Sequence, residues 1–228
     1  MIDILDKILE NSFLPLYCLT TFVSLYNYNK YFDTSLKYLP ILFMYTLLNE
    51  SLGTFIKYNP DFNPIISGFY SDHSQALYNA YNFIFFGYFF FVYWSFIKSK
   101  RRKIKFISFI YVLICIINIF FQNPVLDSLI LMYITGSIIL IYIISIYFRL
   151  DNKILRTKFS KHSLVFWLSI GLLIFYSGFI PIIIYYSNTS FQNIEIYHNV
   201  RRLHIILVDI MYIFFIYGFI QMKGKLKV

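Results

Sequence analysis

The stretch Glu195–Gln221, EIYHNVRRLHIILVDIMYIFFIYGFIQ, holds a long apolar run with two arginines at its start and an aspartate inside it. A helix needs about 20 apolar residues to cross the core of a bilayer, and this run is long enough. A charge that deep in the hydrocarbon is costly unless it is paired or hydrated. Arg202 and Asp209 are seven residues apart and therefore share nearly the same helical face. We expect this face to take part in the function.

Apolar runs of similar length recur along the whole chain of 228 residues, of which 59% are hydrophobic and 14% are charged. A soluble domain carries about 25% charged residues. The composition therefore predicts an all-α polytopic membrane protein, a bundle of seven transmembrane helices in a single domain. The predicted spans cover residues 12–28, 38–56, 75–97, 106–121, 127–148, 163–187 and 200–222.

Local signals predict how some of these spans begin. Asn11 or Ser12 is a suitable cap for the first span, with Pro15 in its first turn, where a missing N–H costs nothing. The longest connection is Lys57–Ser74, KYNPDFNPIISGFYSDHS, whose Asn-Pro pairs and Gly68 favour turns. We therefore expect a long loop between the second and third spans.

The distribution of basic residues predicts the orientation of the bundle. Sixteen of the 20 lysines and arginines fall in alternate connections and the C-terminal tail, and four fall on the opposite side. Cytoplasmic loops carry the excess of Lys and Arg. This predicts a multi-pass protein of the bacterial inner (cytoplasmic) membrane, with its N-terminus outside and its C-terminus in the cytoplasm. The net charge of +9 then reflects topology, so we expect no nucleic-acid partner.

No cofactor, metal or catalytic residue is predicted. Cys18 and Cys115 lie in apolar runs, where we expect them to pack as small core residues. The chain has no H-x-x-x-H pair, no P-loop and no G-x-S-x-G motif. The last span has no lysine between Leu203 and Met222, which argues against a retinal Schiff base.

Polar residues collect in the predicted outer halves of the second, third and seventh spans. They are Asn49, Glu50, Asn79, Asn82, Arg201, Arg202, His204 and Asp209. Ionisable groups within a membrane usually turn toward partners or a water-filled cavity. The pattern favours a polar, outward-open, ligand-binding pocket between these spans. The alternative is a set of interhelical hydrogen bonds that hold the bundle together. We expect Asp209 to face the interior and pair with Arg202 or a polar group on the second or third span.

Small residues predict where helices approach each other closely. Thr135, Gly136 and Ser137 in the fifth span and Gly171 in the sixth are suited to close contact. The aromatic run Phe83–Trp94 surrounds its helix, which indicates packing and lipid contact rather than a cofactor site.

The sixth span, FWLSIGLLIFYSGFIPIIIYY, and the chain end IYGFIQMKGK resemble small seven-helix membrane proteins of bacteria with AT-rich genomes. Some of those proteins are encoded beside histidine-kinase signalling genes. The resemblance covers about the last third of the chain. It implies a signalling context but transfers no functional residue.

Three functions are compatible with this pattern. The first is an integral membrane sensor or signalling protein with no catalysis of its own. Its partners would be membrane lipids and a cytoplasmic or membrane signalling protein that reads the basic inner loops. The second is a transporter or channel component, which requires water access from both sides. The third is a membrane-embedded enzyme acting on lipid-linked substrates, with Glu50, His204 and Asp209 as polar participants.

Overall fold

The computed structural model describes residues 2–59, 64–154, 163–188 and 194–226. Within them the chain forms seven α-helices and no strand, which confirms the predicted all-α fold. The helices are α1 (Ile2–Tyr26), α2 (Leu39–Tyr58), α3 (Pro64–Phe96), α4 (Arg101–Phe121), α5 (Ile130–Ile154), α6 (Leu164–Asn188) and α7 (Ile194–Gln221).

Five helical segments in the described part of the chain are long and apolar enough to cross a membrane. They are Ser35–Ile56, Lys98–Phe121, Ile130–Leu150, Leu164–Tyr186 and Ile196–Gln221, and a shorter apolar helix covers Ser12–Tyr26. Large apolar side chains also point outward, among them Phe22, Ile41 and Phe120. Exposed apolar surface on this scale is what a lipid-facing bundle requires. These features indicate a multi-pass membrane protein.

The aromatic helix α3 is absent from that set of five although it is the longest of the seven, with 33 residues. Tyrosine, asparagine and glutamine lower its hydropathy along the first half of its length. Its second half supplies much of the core, and Phe86, Phe89 and Tyr93 are almost completely buried. Its outer side exposes the apolar Phe83 and Phe91, so other helices surround only part of α3.

Consecutive helices alternate in direction. α1 and α7 run parallel, because Ser12 contacts Asp209, and Tyr17, further along α1, contacts Tyr212, further along α7. α6 and α7 run antiparallel, with Gly178 near Leu207 and Gly218 near Trp167. The order of packing is α2, α1, α7, α6, α5 and α3, and α4 packs outside against α3 and α5. The interior of the bundle therefore lies between six helices.

Glycine allows α6 and α7 to come close together. A Cβ atom added to Gly171 would lie 2.9 Å from the carbonyl oxygen of Met211. One added to Gly136 of α5 would lie 2.6 Å from the ring of Phe86 on α3. The expectation that Gly136 and Gly171 serve close packing is therefore confirmed.

Two local predictions were wrong at the start of helices. α1 begins at Ile2, so Pro15 lies inside the helix and neither Asn11 nor Ser12 caps it. α3 begins at Pro64, so much of the predicted loop 57–74 is helical and Gly68 lies within a helix. Proline at the first helical position has the required φ angle and lacks an N–H that would have no partner there. Pro64 thus belongs to a helix rather than to a turn.

Candidate functional site

A cavity of about 440 Å³ lies in the bundle interior, at the end where α2 and α6 finish and α3 and α7 begin. All six ring-forming helices contribute to its wall. Apart from tyrosines, its polar side chains include Asn49, Glu50, Gln75, Asn82, Arg201 and His204. A cavity of this size is within the range of small-molecule sites, which measure about 300–1,000 Å³.

Glu50 brings an acidic group into the cavity wall from α2. The hydroxyl of Tyr78, on the facing side of α3, forms a hydrogen bond with the Glu50 carboxylate. A hydroxyl donor stabilises a carboxylate but leaves it capacity to accept further hydrogen bonds. Glu50 can therefore receive a donor from a molecule in the cavity while it keeps Tyr78.

The opposite wall carries basic and aromatic groups of α7 and α6. His204 packs on Phe179 with ring centroids 4.3 Å apart, and Phe175 lies 6.1 Å from the same imidazole. Arg201 is one helical turn before His204 and reaches the same cavity. The site thus combines an acidic group on one side with a basic group and flat apolar rings on the other.

Tyrosine hydroxyls form the floor of the cavity. The hydroxyl groups of Thr46 and Tyr81 are hydrogen-bonded at 2.9 Å, and Tyr81 also pairs with Tyr212. The ring of Tyr17 on α1 lies 4.4 Å from that of Tyr212. These contacts join α1, α2, α3 and α7 at one level, so the floor is held by four helices.

Below this floor a group of phenylalanines fills the bundle. We call Phe43, Phe89, Phe215 and Phe219 the aromatic plug, and each is at most 1% exposed. Phe43 of α2 packs against Phe215 and Phe219 of α7 at 5.8 and 6.2 Å between centroids. The plug separates the cavity from the end of the bundle where α7 finishes.

The structure brings five of the eight predicted site residues to this cavity. They are Asn49, Glu50, Asn82, Arg201 and His204. Asn79, Arg202 and Asp209 lie outside its lining. The site therefore contains groups from all three predicted spans, but not the face of the seventh span that Arg202 and Asp209 share.

Asn79 is a structural residue in this fold. Its side-chain nitrogen donates to the carbonyl oxygens of Pro124 and Asp127, both at 2.8 Å, and its side-chain oxygen accepts from the backbone N–H of Leu129. The residue is buried. It thus fastens α3 to the connection between α4 and α5, as the alternative of interhelical hydrogen bonds predicts.

The predicted pairing of Asp209 was wrong. Its Oδ2 accepts a hydrogen bond of 2.6 Å from the hydroxyl of Ser12 on α1, rather than from Arg202 or a group on α2 or α3. The Arg202 guanidinium donates to the side-chain oxygen of Asn199 at 3.2 Å. Successive residues of a helix point about 100° apart. Arg201 faces the cavity, so Arg202 and Asp209 turn away from it, and Asp209 lies toward α1.

Side chains of α1, α5 and α6, and the tyrosines in general, were not among the predicted site residues. Tyr17, Tyr133 and Tyr176 line the cavity from these three helices. One signal was present in α3, where Gln75, Tyr78 and Asn82 recur at intervals of three and four residues and so share a helical face. The cavity tyrosines of α1, α5 and α6 are not part of a comparable run of cavity-lining polar residues spaced three or four apart.

No metal site is evident in the described ranges, which contain no group of three or more His, Cys, Asp or Glu side chains that could hold an ion. The two cysteines are free thiols in different environments: Cys115 is buried as expected, whereas Cys18 is exposed, which corrects its assignment to the core.

Comparison of the chain with protein-family models, with curated proteins and with solved structures yields no match.

Proposed function

We propose that the chain is a seven-span receptor of the bacterial cytoplasmic membrane, with its N-terminus outside. Lys30, the connection between α3 and α4 and the described part of the C-terminal tail lie at the end opposite the cavity, where the Lys30 ammonium donates to the carbonyl oxygen of Met222. Under the positive-inside rule this end faces the cytoplasm. The cavity then opens toward the outside, within reach of external molecules.

The proposed ligand is a small polar molecule with an apolar or aromatic part. Glu50 on one wall and Arg201 on another offer opposite charges, and Phe175 and Phe179 offer flat apolar surface. Binding sites typically combine an apolar lining with a few polar groups that fix the orientation of the ligand. The polar groups of this cavity converge from α2, α3 and α7, so a bound molecule would link these helices.

The aromatic plug is the feature that favours a receptor over a transporter. A transporter alternates between openings to the two sides of the membrane around a site near the midplane. Here the cavity has polar walls toward one end, while Phe43, Phe89, Phe215 and Phe219 fill the bundle toward the other. This arrangement favours a protein that senses a bound ligand over one that carries the ligand across the membrane.

The proposed output is a change in the basic connections, read by a signalling partner. The basic segment Lys98–Lys105, which covers the connection after α3 and the first residues of α4, follows directly on a helix that lines the cavity. Ligand-dependent movement of α3 would therefore reach this segment directly. The resemblance to proteins encoded beside histidine kinases is consistent with such a partner, and the receptor itself would have no catalytic activity.

Sided labelling of a cysteine in the cavity tests this proposal. Asn82→Cys is introduced with Cys18 and Cys115 replaced by alanine, and a membrane-impermeant thiol reagent is added to intact cells or to inverted vesicles. Ser169→Cys is the matched control, because Ser169 is fully buried beside Tyr93. We expect labelling of Asn82→Cys in intact cells only, and none of Ser169→Cys.

The other outcomes are equally informative. Labelling of Asn82→Cys only in inverted vesicles would reverse the orientation and reject an external receptor. Labelling from both sides would indicate a continuous water path and favour the transporter. No labelling from either side would mean that the cavity is closed to water and would contradict a binding function.

A further inference from the structure

A second concavity lies on the outer surface of the bundle, between α3 and α4, away from the central cavity. It has a volume of about 370 Å³. Its lining is mainly aromatic and apolar, with Phe83, Phe90, Phe91 and Trp94 from α3 and Tyr111 and Val112 from α4. We call it the α3–α4 groove.

Gly87 forms the middle of the groove, between large aromatic side chains on the same helix. A Cβ atom added there would meet no atom within 4 Å. The open space at Gly87 is therefore not needed for the packing of the protein's own helices. Glycine in a helix interior lowers stability by about 0.5–1 kcal/mol relative to alanine. At residue 87 the missing side chain leaves a depression in the surface.

The length of the groove matches half of a bilayer. Phe83 and Trp94 are eleven residues apart on α3, about 16 Å along the helix axis. The hydrocarbon core of a membrane is about 30 Å thick, so the groove extends over about one leaflet. One extended acyl chain from that leaflet would have the direction and length to occupy it.

The end of the groove near Trp94 is strongly basic. Lys105 lines it from α4, and its side chain is exposed. The guanidinium of Arg101 lies 4.9 Å from the Trp94 ring and donates to the carbonyl oxygens of Trp94 and Ser95. Tryptophan with Arg or Lys is typical of the headgroup level of a membrane protein. Lys98 and Lys100 in the connection before α4, and Arg102 in the first turn of α4, add positive charge at the same end.

We propose that the α3–α4 groove is a binding site for an anionic phospholipid. One acyl chain lies over Gly87 along the aromatic wall, and the ammonium of Lys105 contacts the phosphate-containing headgroup. The apolar groove selects a lipid, and the net positive charge at its end selects a negatively charged one. Because α3 lines both the groove and the central cavity, the bound lipid contacts the helix that holds Tyr78 and Asn82.

Quenching of tryptophan fluorescence by brominated lipids can test this site directly. The chain has only two tryptophans, so Trp167→Phe leaves Trp94 as the single reporter. The purified protein is reconstituted in mixtures of phosphatidylglycerol and phosphatidylcholine over a range of mole fractions, in which one of the two lipids carries brominated acyl chains and the other carries the same chains without bromine. We expect brominated phosphatidylglycerol to compete for the site about fivefold better, the size that one basic residue contributes at an anionic surface.

Two variants separate the charge from the groove. Lys105→Gln should reduce the ratio of phosphatidylglycerol to phosphatidylcholine affinity toward one. The matched change Lys223→Gln should preserve this ratio, because Lys223 lies at the same end of the bundle but on its far side. Gly87→Leu should fill the groove and weaken quenching by both brominated lipids. Gly68→Leu is its control, because Gly68 lies in the same helix and also has open space around it.

Equal quenching by the two lipids in the parent protein would overturn the proposal. So would a preference that survives Lys105→Gln, or one that Lys223→Gln reduces to the same extent, since either would show a general charge effect. Quenching that is unchanged by Gly87→Leu would show that the lipid does not occupy the groove.

Discussion

The hydroxyl of Ser12 donates a hydrogen bond of 2.6 Å to Oδ2 of Asp209, and this bond joins the first helix of the bundle to the last. The second carboxylate oxygen, Oδ1, is buried and accepts no hydrogen bond from any described residue. Ser12 is therefore the one described hydrogen-bond donor of a carboxylate that lies within a helix long and apolar enough to span a membrane.

This relationship predicts strong coupling between the two residues. Ser12→Ala would leave the Asp209 carboxylate buried without its donor, which costs about 1–3 kcal/mol in the free energy of unfolding. The double variant with Asp209→Ala should be less destabilised than the sum of the two single changes, with a coupling energy of about 0.5–3 kcal/mol. Thermal unfolding in detergent provides the measurement.

Ser145→Ala serves as the control for this cycle, because its hydroxyl bonds only to the carbonyl oxygen of Ile141 in its own helix. The loss of stability caused by Ser145→Ala should simply add to the loss caused by Asp209→Ala. Strict additivity for Ser12 and Asp209 would mean that the bond contributes nothing to stability.

Two asparagines three residues apart should respond differently to the same substitution. Asn79→Ala removes three hydrogen bonds to Pro124, Asp127 and Leu129 and should lower the free energy of unfolding by at least about 2 kcal/mol. Asn82→Ala changes a cavity wall and should cost less than about 1 kcal/mol. Chemical or thermal unfolding of the two variants side by side checks this difference. Equal losses would remove the distinction between a structural and a cavity asparagine.

The charges of the cavity should be detectable without a known ligand. With Asn82→Cys as the reporter at pH 8, the rates of reaction with a cationic and an anionic methanethiosulfonate of similar size are compared. Glu50→Gln should lower the ratio of the cationic to the anionic rate several-fold, because the acidic wall no longer attracts the cation. Arg201→Gln should raise the same ratio.

The stability of these variants completes that test. Glutamine keeps an acceptor for the Tyr78 hydroxyl, so Glu50→Gln should unfold within a few degrees of the parent protein. A large loss of stability together with an unchanged rate ratio would assign Glu50 a structural role and would count against the proposed ligand site.

Alanine should be harmful at one glycine and harmless at another. Gly171→Ala places a methyl group 2.9 Å from the backbone oxygen of Met211 and 3.1 Å from the Phe215 ring, and the resulting strain should cost about 1–3 kcal/mol. Gly87→Ala meets no atom within 4 Å and should be neutral or stabilising by up to about 1 kcal/mol. Melting temperatures in one detergent give the comparison, and a destabilised Gly87→Ala would contradict the open space at the α3–α4 groove.

Several features of this protein follow from the sequence alone. Long apolar runs must form helices in a membrane, because backbone groups in hydrocarbon have to be hydrogen-bonded within the segment. This constraint is local, so the runs ending near Tyr28, Ile56 and Phe121 were recognisable without a structure. The local start signals were less reliable, since the same proline that ends a turn can begin a helix, as Pro64 does.

The composition of the site was decided by the tertiary structure. Glu50, Asn82 and Arg201 were recognisable as unusual because a polar group in an apolar run is conspicuous on its own. Which face of α7 meets the cavity depends on the rotation of that helix against α1 and α6. That rotation is set by contacts between residues distant in the chain, such as Ser12 with Asp209 and Gly171 with Met211. Spacing along one helix gives Arg202 and Asp209 a common face but cannot determine which neighbour that face meets.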